Sequence, residues 1–230
     1  MQSYKEPEPG QFYMISAGSD YNPLLKRPFS IFRRTSKGLQ ILYRVKGQGT
    51  IMLRDMRPGS VIDVLGPLGN SYPVPAVTQT PLIVAGGIGI ASLFPLAEKL
   101  ATSSYIFYGS RTAREILFLD ELAGLAKSLS VSTDDGSSGK KGTVADLLEN
   151  FLTYHASRIT HHVIYACGPK KMLESISKIA KDKGLTAYIS MEENMACGIG
   201  ACLGCVVNTA EGYKRVCMEG PVFDVKEIVW

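Results

Sequence analysis

PLIVAGGIGIASLFPLAEKLA, residues 81–101, places an apolar run, a glycine turn and a helical pattern in immediate succession. The run is short and bounded, which suits a buried strand, and the apolar spacing after it suits an amphipathic helix. Toward the C-terminus the alternation continues through YIFYGSR (105–111), EILFLDELAGLAKSL (115–129), LSVST (129–133), TVADLLENFLTYH (143–155), HHVIYACGP (161–169) and KKMLESISKIAKDKG (170–184). Strand and helix segments alternating at roughly 10–15 residues predict an α/β unit on a parallel sheet. Toward the N-terminus the text changes to short β-branched or aromatic runs broken by Gly and Pro: QFYMIS, RPFSIFRR, LQILYRV and SVIDVLGPLG. Such spacing predicts a small antiparallel barrel. Past TAYISMEE the periodicity disappears into the glycine- and cysteine-rich NMACGIGACLGCVV. The expected organisation is multidomain α+β: a barrel over 1–78, an α/β domain over 79–189 and a cysteine-rich domain over 190–230.

Composition bounds the function. With 230 residues, 45% hydrophobic and 20% charged, the chain can bury a sizeable core, and wholesale disorder is excluded. The net charge of +4 comes from scattered basic residues, which argues against nucleic acid as a partner. MQSYKEPEPG has no apolar region of a secretory signal, and no apolar run reaches the about 20 residues of a membrane span. A cytoplasmic protein without membrane contact is expected.

Of the five cysteines, Cys197, Cys202 and Cys205 follow C-x4-C-x2-C, and Cys217 completes the set after eleven intervening residues. This is plant-type 2Fe-2S spacing. Such a cluster needs four thiolates, three of them from one tight loop, and Gly198, Gly200 and Gly204 let that loop bring its amides close to sulfur. A structural zinc site also uses four cysteines, but zinc ribbons pair C-x2-C with C-x2-C, and only one such pair exists here. Cys167 stands apart from the set.

Arg27-Pro28-Phe29-Ser30 lies among the barrel strands. A planar guanidinium there could grip a pyrophosphate while the serine hydroxyl meets a heterocycle edge, although an exposed arginine beside a strand proline explains the tetrapeptide equally well. Leu42-Tyr43-Arg44-Val45 follows, then Gly47-Gln48-Gly49-Thr50, where small residues would let backbone amides approach a phosphate. Gly86, Gly87 and Gly89 open a helix directly after a strand, the arrangement that offers amides and a positive dipole end to a dinucleotide. Tight strand-to-helix packing would account for the same glycines. Cys167-Gly168-Pro169 ends a strand, where ligands of α/β sheets bind and where a buried thiol can also simply cap the strand.

In this order RPFS, GGIG, CGP and the C-x4-C-x2-C…C tail resemble the ferredoxin reductase superfamily with an added iron-sulfur domain, and within it the electron-transfer subunits of type B dihydroorotate dehydrogenase. The resemblance runs from PGQF at 9–12 to Cys217; the tail ENMACGIGACLGC is its strongest element, and GPLGN at 66–70 is also similar to that family. It implies a flavin-binding barrel in which Arg27, Pro28, Phe29 and Ser30 bind FAD. Leu42, Tyr43, Arg44 and Val45 would lie along the ribityl chain and flavin, and Gly49 and Thr50 would meet its phosphate or adenosine end. It further implies that Gly86, Gly87 and Gly89 cradle NAD, that Cys167 sits near hydride transfer as a catalytic residue, and that the four tail cysteines hold a 2Fe-2S cluster. The implied partner is an FMN-containing dihydroorotate dehydrogenase catalytic subunit, in a heterotetramer of two plus two serving pyrimidine biosynthesis. Family members carry a further strand-forming stretch before PGQF, which leaves closure of the barrel open. The same motifs also fit reductase subunits of other NAD(P)H, ferredoxin or sulfur-reducing complexes. The choice between NAD and NADP stays undecided, because Arg111 after YIFYGS could tolerate a 2′-phosphate.

Overall fold

A computed structural model describes residues 6–16, 24–155 and 161–230. The first sheet is built from β1 (Phe12–Ile15), β2 (Arg27–Thr35), β3 (Gly38–Ile41) and, after helix α1 (Gln48–Asp55), β4 (Val64–Leu68). Among the described residues these four strands stand in the order β3-β2-β1-β4, and all pairings are antiparallel. Alternation along the strands assigns the two faces. Tyr13, Ile15, Phe29 and Ile31 form a small core that Tyr43 and Leu53 cover. Phe12, Met14 and Phe32 join the cores shared with the rest of the molecule. Helix α1 is the element that strand periodicity did not announce. Its start is fixed by Thr50, whose Oγ1 accepts N–H bonds from Lys46 at 2.9 Å and Gly47 at 3.1 Å.

The second unit runs β5 (Thr80–Gly86), α2 (Ile90–Leu100), β6 (Tyr105–Ser110), α3 (Leu119–Leu125), β7 (Ser128–Thr133), β8 (Lys140–Lys141), α4 (Val144–Tyr154), β9 (His162–Cys167), α5 (Lys170–Asp182) and β10 (Thr186–Ser190). Pro81–Gly86 is buried throughout, as a strand covered on both faces of a parallel sheet must be. Helix α4 is started by a capping box in which Thr143 Oγ1 accepts the Asp146 N–H at 3.2 Å and Asp146 accepts the Thr143 N–H at 2.8 Å.

The tail folds into the hairpin β11 (Val206–Thr209) and β12 (Gly212–Arg215), then into β13 (Val222–Asp224). That last strand returns to the second sheet, whose order is β13-β10-β9-β5-β6-β7-β8, with β13 antiparallel and the other pairings parallel. The cysteine-rich segment is therefore knitted into the α/β unit, not tethered to it. One core gathers Phe12 and Met14 from the first sheet, Leu82, Val84 and Ile164 from the second, and Cys205, Val216, Cys217 and Phe223 from the tail. On the opposite face Phe32 packs among Ile83, Phe94 and Tyr165. The adjacent Arg33 donates to Glu98 at 2.8 Å and to Glu121 at 2.5 Å, with its guanidinium 4.5 Å above the Phe94 ring. This contact fastens the first sheet to α2 and α3. Among the described residues no helix is long and apolar enough to cross a membrane.

Candidate functional site

The cysteine loop resolves into two pairs. The Cys197 thiol contacts that of Cys202, and the Cys217 thiol contacts that of Cys205. Among the described residues no three His, Cys, Asp or Glu side chains converge on one ion-sized point. Two thiol pairs side by side suit a core of two irons, each iron taking two thiolates, whereas a single zinc draws four ligands to one tetrahedral centre. The backbone is arranged for thiolates. Amides of Ile199 and Cys202 point at the Cys197 sulfur and hold it down at about 6, while burial pushes Cys217 up to about 11. Gly200 N–H donates to Cys217 Sγ at 3.2 Å. Gly198, at φ +74°, lies so close to the first sheet that a Cβ there would stand 2.5 Å from Met14 Cγ and 3.2 Å from Leu68 Cδ1. Cys205 and Cys217 are buried and Cys202 is exposed, with Ile199, Leu203, Tyr213 and Met218 exposed in the same domain.

The predicted flavin residues are only partly gathered. Arg27 leans on the start of α1, since a Cβ on Gly49 would stand 3.2 Å from its Nε. The guanidinium also donates to the Leu25 carbonyl. No acidic residue stands in the first turn of α1, so this arginine and the helix N-terminus carry positive charge side by side. Phe29 packs edge-on against Tyr43, ring centres 5.6 Å apart. Alternation along β2 sends Pro28 and Ser30 to the opposite face, with Phe32, toward the second sheet. Leu42 packs into the core beneath that face, and Val45 is exposed. Two of the residues have protein partners of their own. The Thr50 hydroxyl caps its own helix and donates to the Gly47 carbonyl at 2.9 Å, and Arg44 reaches across to Glu115 of the second unit at 3.4 Å.

The nucleotide residues meet where the strand order reverses. From β5 the chain first builds outward through β6 to β8, then returns to β9 on the other side of β5. Open α/β sheets bind ligands at this switch point, beyond the strand carboxyl ends, and here those ends are Gly86 and Cys167. Packing explains two of the three glycines. A Cβ on Gly89 would stand 2.3 Å from the Cys167 carbonyl oxygen, and one on Gly86 would stand 2.8 Å from Pro169 Cδ. Gly87, at φ +52° with open space around it, is the one free to take a phosphate against its backbone.

Burial pushes the Cys167 thiol up to about 12, with the Glu192 charge adding to the rise against hydrogen bonds to Ser190 and Ser92. A thiol raised in this way is a weak nucleophile, and Cys167 sits among the hydroxyls of Ser190 and Ser92. Tyr72, absent from the sequence reading, joins them through a 3.3 Å bond between its hydroxyl and Ser92 Oγ. Glu115 and Arg111 were also missed as a pair; Arg111 at the end of β6 donates to Glu115 at 2.5 Å. Arg111 is visible in sequence after YIFYGS but its partner is not, because the pairing depends on a 3-10 turn at Ala113–Glu115.

Comparison with known proteins follows the same layout. Residues 192–229 match the iron-sulfur cluster binding domain of dihydroorotate dehydrogenase B, and residues 83–178 match the oxidoreductase NAD-binding domain. The electron transfer subunit of dihydroorotate dehydrogenase B (NAD(+)) from Geobacillus sp. (strain WCH70) is 40% identical over 231 residues, spanning 96% of this chain and 86% of that one. The subunit of the same name from Caldanaerobacter subterraneus subsp. tengcongensis is 39% identical, spanning 98% and 89%. Among solved structures, the NADH-dependent reduced ferredoxin-NADP oxidoreductase superposes with a TM-score of 0.83 at 29% identity, covering 98% of this chain and 80% of that one. The ferredoxin reductase of carbazole 1,9a-dioxygenase shares the fold, with a TM-score of 0.65 at 23% identity over 78% of this chain and 57% of that one.

Proposed function

This chain belongs to the electron transfer subunits of dihydroorotate dehydrogenase B, and from that membership we propose that it carries electrons from the FMN of a catalytic subunit, through a 2Fe-2S cluster and FAD, to NAD+. The observation that carries the reading is the single core joining the paired cysteines, the first sheet and the switch point, through Cys217, Met14 and Val84. Bound flavin exchanges hydride with nicotinamide and single electrons with iron-sulfur clusters, so it converts one mode into the other.

The chain's own residues supply position and environment. Cys197, Cys202, Cys205 and Cys217 would ligate the cluster, Arg27 and the α1 N-terminus would hold the flavin pyrophosphate, and Gly87 would admit the nicotinamide dinucleotide. Cys167 stays protonated beside that site and brings no charge to it. Dihydroorotate chemistry belongs to the partner. Docking of that partner is assigned to the apolar rim of Ile199, Leu203, Tyr213 and Met218 around Cys202. A two-plus-two heterotetramer, a cytoplasmic location and a place in pyrimidine biosynthesis belong to the same proposal.

The test is Cys202→Ser in the assembled complex. Dihydroorotate-driven NAD+ reduction should be lost while the flavin absorption remains. Full NAD+-linked turnover in that variant would refute the route. The likeness to the NADH-dependent ferredoxin-NADP oxidoreductase supports a second reading, a reductase subunit of another complex. Purification with a partner that lacks FMN would favour it.

A further inference from the structure

We propose that the Arg215–Glu219 ion pair sets the reduction potential of the cluster held by the four cysteines, acting as a positioning and charge-tuning device. The proposal rests on the 2Fe-2S reading. Arg215 ends β12, two residues before Cys217. Its Nη1 donates to the Gly200 carbonyl at 3.0 Å, and Gly200 in turn donates its N–H to Cys217 Sγ at 3.2 Å. Holding Gly200 by its carbonyl aims its amide at the sulfur. The same carbonyl shares a peptide with the Ala201 N–H, which points at Cys197. A guanidinium on the carbonyl polarises that peptide and strengthens its N–H as a donor. One arginine thereby acts on a sulfur of each thiol pair.

Glu219 fixes the arginine. It accepts from Arg215 Nε at 3.1 Å and from the Arg215 backbone N–H at 2.7 Å, and a further contact joins its Oε1 to Nη2. Both side chains are about one-third exposed, at 33% and 35%, and they line an open groove with Leu203, Val206 and Tyr213. Cluster potentials respond to local charge, hydrogen bonds to sulfur and solvent exposure. Reduction adds one electron to an anionic group, so the arginine favours the reduced form and the carboxylate favours the oxidised form. Their effects oppose each other, and this separates charge tuning from mere scaffolding.

The experiment is a redox titration of the assembled complex, followed by the electron paramagnetic resonance of the reduced cluster, with iron content measured alongside. Glu219→Gln should raise the reduced-to-oxidised ratio at a fixed poise at least about threefold, which is about 28 mV for a one-electron couple. Arg215→Gln should lower it by a similar factor, and Arg215→Lys should shift it less than Arg215→Gln. Shifts of both glutamine variants in the same direction, or an unmoved potential in Glu219→Gln with full iron content, would overturn the proposal. If Arg215→Gln cannot hold iron, Glu219→Gln decides it alone. A wild-type complex without a cluster signal would overturn the 2Fe-2S reading itself, and the proposal with it.

Discussion

The close approach of the cysteine loop to the first sheet makes Gly198→Ala the sharpest test of how the redox parts are fixed. At φ +74° an alanine meets left-handed backbone strain of about 1–2 kcal/mol. Its methyl would also stand 2.5 Å from Met14 Cγ and 3.1 Å from Met14 Sδ, and overpacking of this kind costs about 1–3 kcal/mol. Met14 is fully buried and has little room to yield. The combined penalty is about 2–5 kcal/mol. Gly204 is the internal control, in the same loop but with no neighbour closer to an added Cβ than Cys202 Sγ at 3.6 Å, an ordinary contact. Gly204→Ala should therefore change stability by about 1 kcal/mol or less. Iron per flavin after purification and the denaturant midpoint of the holoprotein are the readouts, and both should fall for Gly198→Ala alone. The double variant Met14→Ala/Gly198→Ala should cost less than the sum of its parts by about 1 kcal/mol or more, because removing the methionine makes room for the methyl. Equal iron content in the two glycine variants, or strict additivity with Met14→Ala, would refute the packing of this loop on β1 and β4.

Two further outcomes follow from the second unit. Glu115 binds both Arg111 and Arg44, so Glu115→Gln frees two guanidinium groups beside the strand next to the glycine turn; a charge-assisted bond to a 2′-phosphate, worth about 1.5–3 kcal/mol, should raise NADPH over NADH in kcat/KM about tenfold or more, and an unchanged ratio would remove Glu115 from cofactor choice. Cys167, raised from 9 to about 12 by burial, favours the folded state fully below pH 9 and less and less as pH rises from there toward 12, since the unfolded thiol ionises first. Urea midpoints taken between about pH 8 and 10.5 should fall more steeply for the wild type than for Cys167→Ala, and parallel curves would show that the thiol is not held neutral.

Much of this was legible because it is local. The buried run at Pro81–Gly86, the apolar spacing of α5 and the alternation in RPFSIF each declare an element within one stretch of chain, and three of the four cluster cysteines share one loop. Contacts between distant segments were not legible. The stretch Gly47–Thr50 read as a phosphate turn because its glycines are visible in sequence, while the Thr50 hydroxyl that turns it into a helix start is a matter of geometry. Glycines at 86 and 89 suggested a ligand, yet their lack of side chains is demanded by Pro169 and Cys167, roughly 80 residues away along the chain. Tyr72 carries no motif at all, and only folding brings it to Ser92. Strand β13 is three residues long, too short for periodicity to signal, and its partner β10 defines it.

The burial of the cysteines gives the proposed route a direction. Cys205 and Cys217 lie in the same core as Met14 and Phe12 of β1, and Cys202 faces solvent at 197–205. On the proposed route a partner would dock at the exposed Cys202 side, while the buried pair shares its core with the first sheet. β13 closes the arrangement, because it is bonded to β10, beside the strand that ends in Cys167. A hinge between the cysteine-rich segment and the nucleotide unit would have to break that pairing and open the shared core. Electron transfer within this chain is thus expected between fixed positions, and whatever motion turnover requires falls to the partner's docking and to the entry of the dinucleotide beside Gly87.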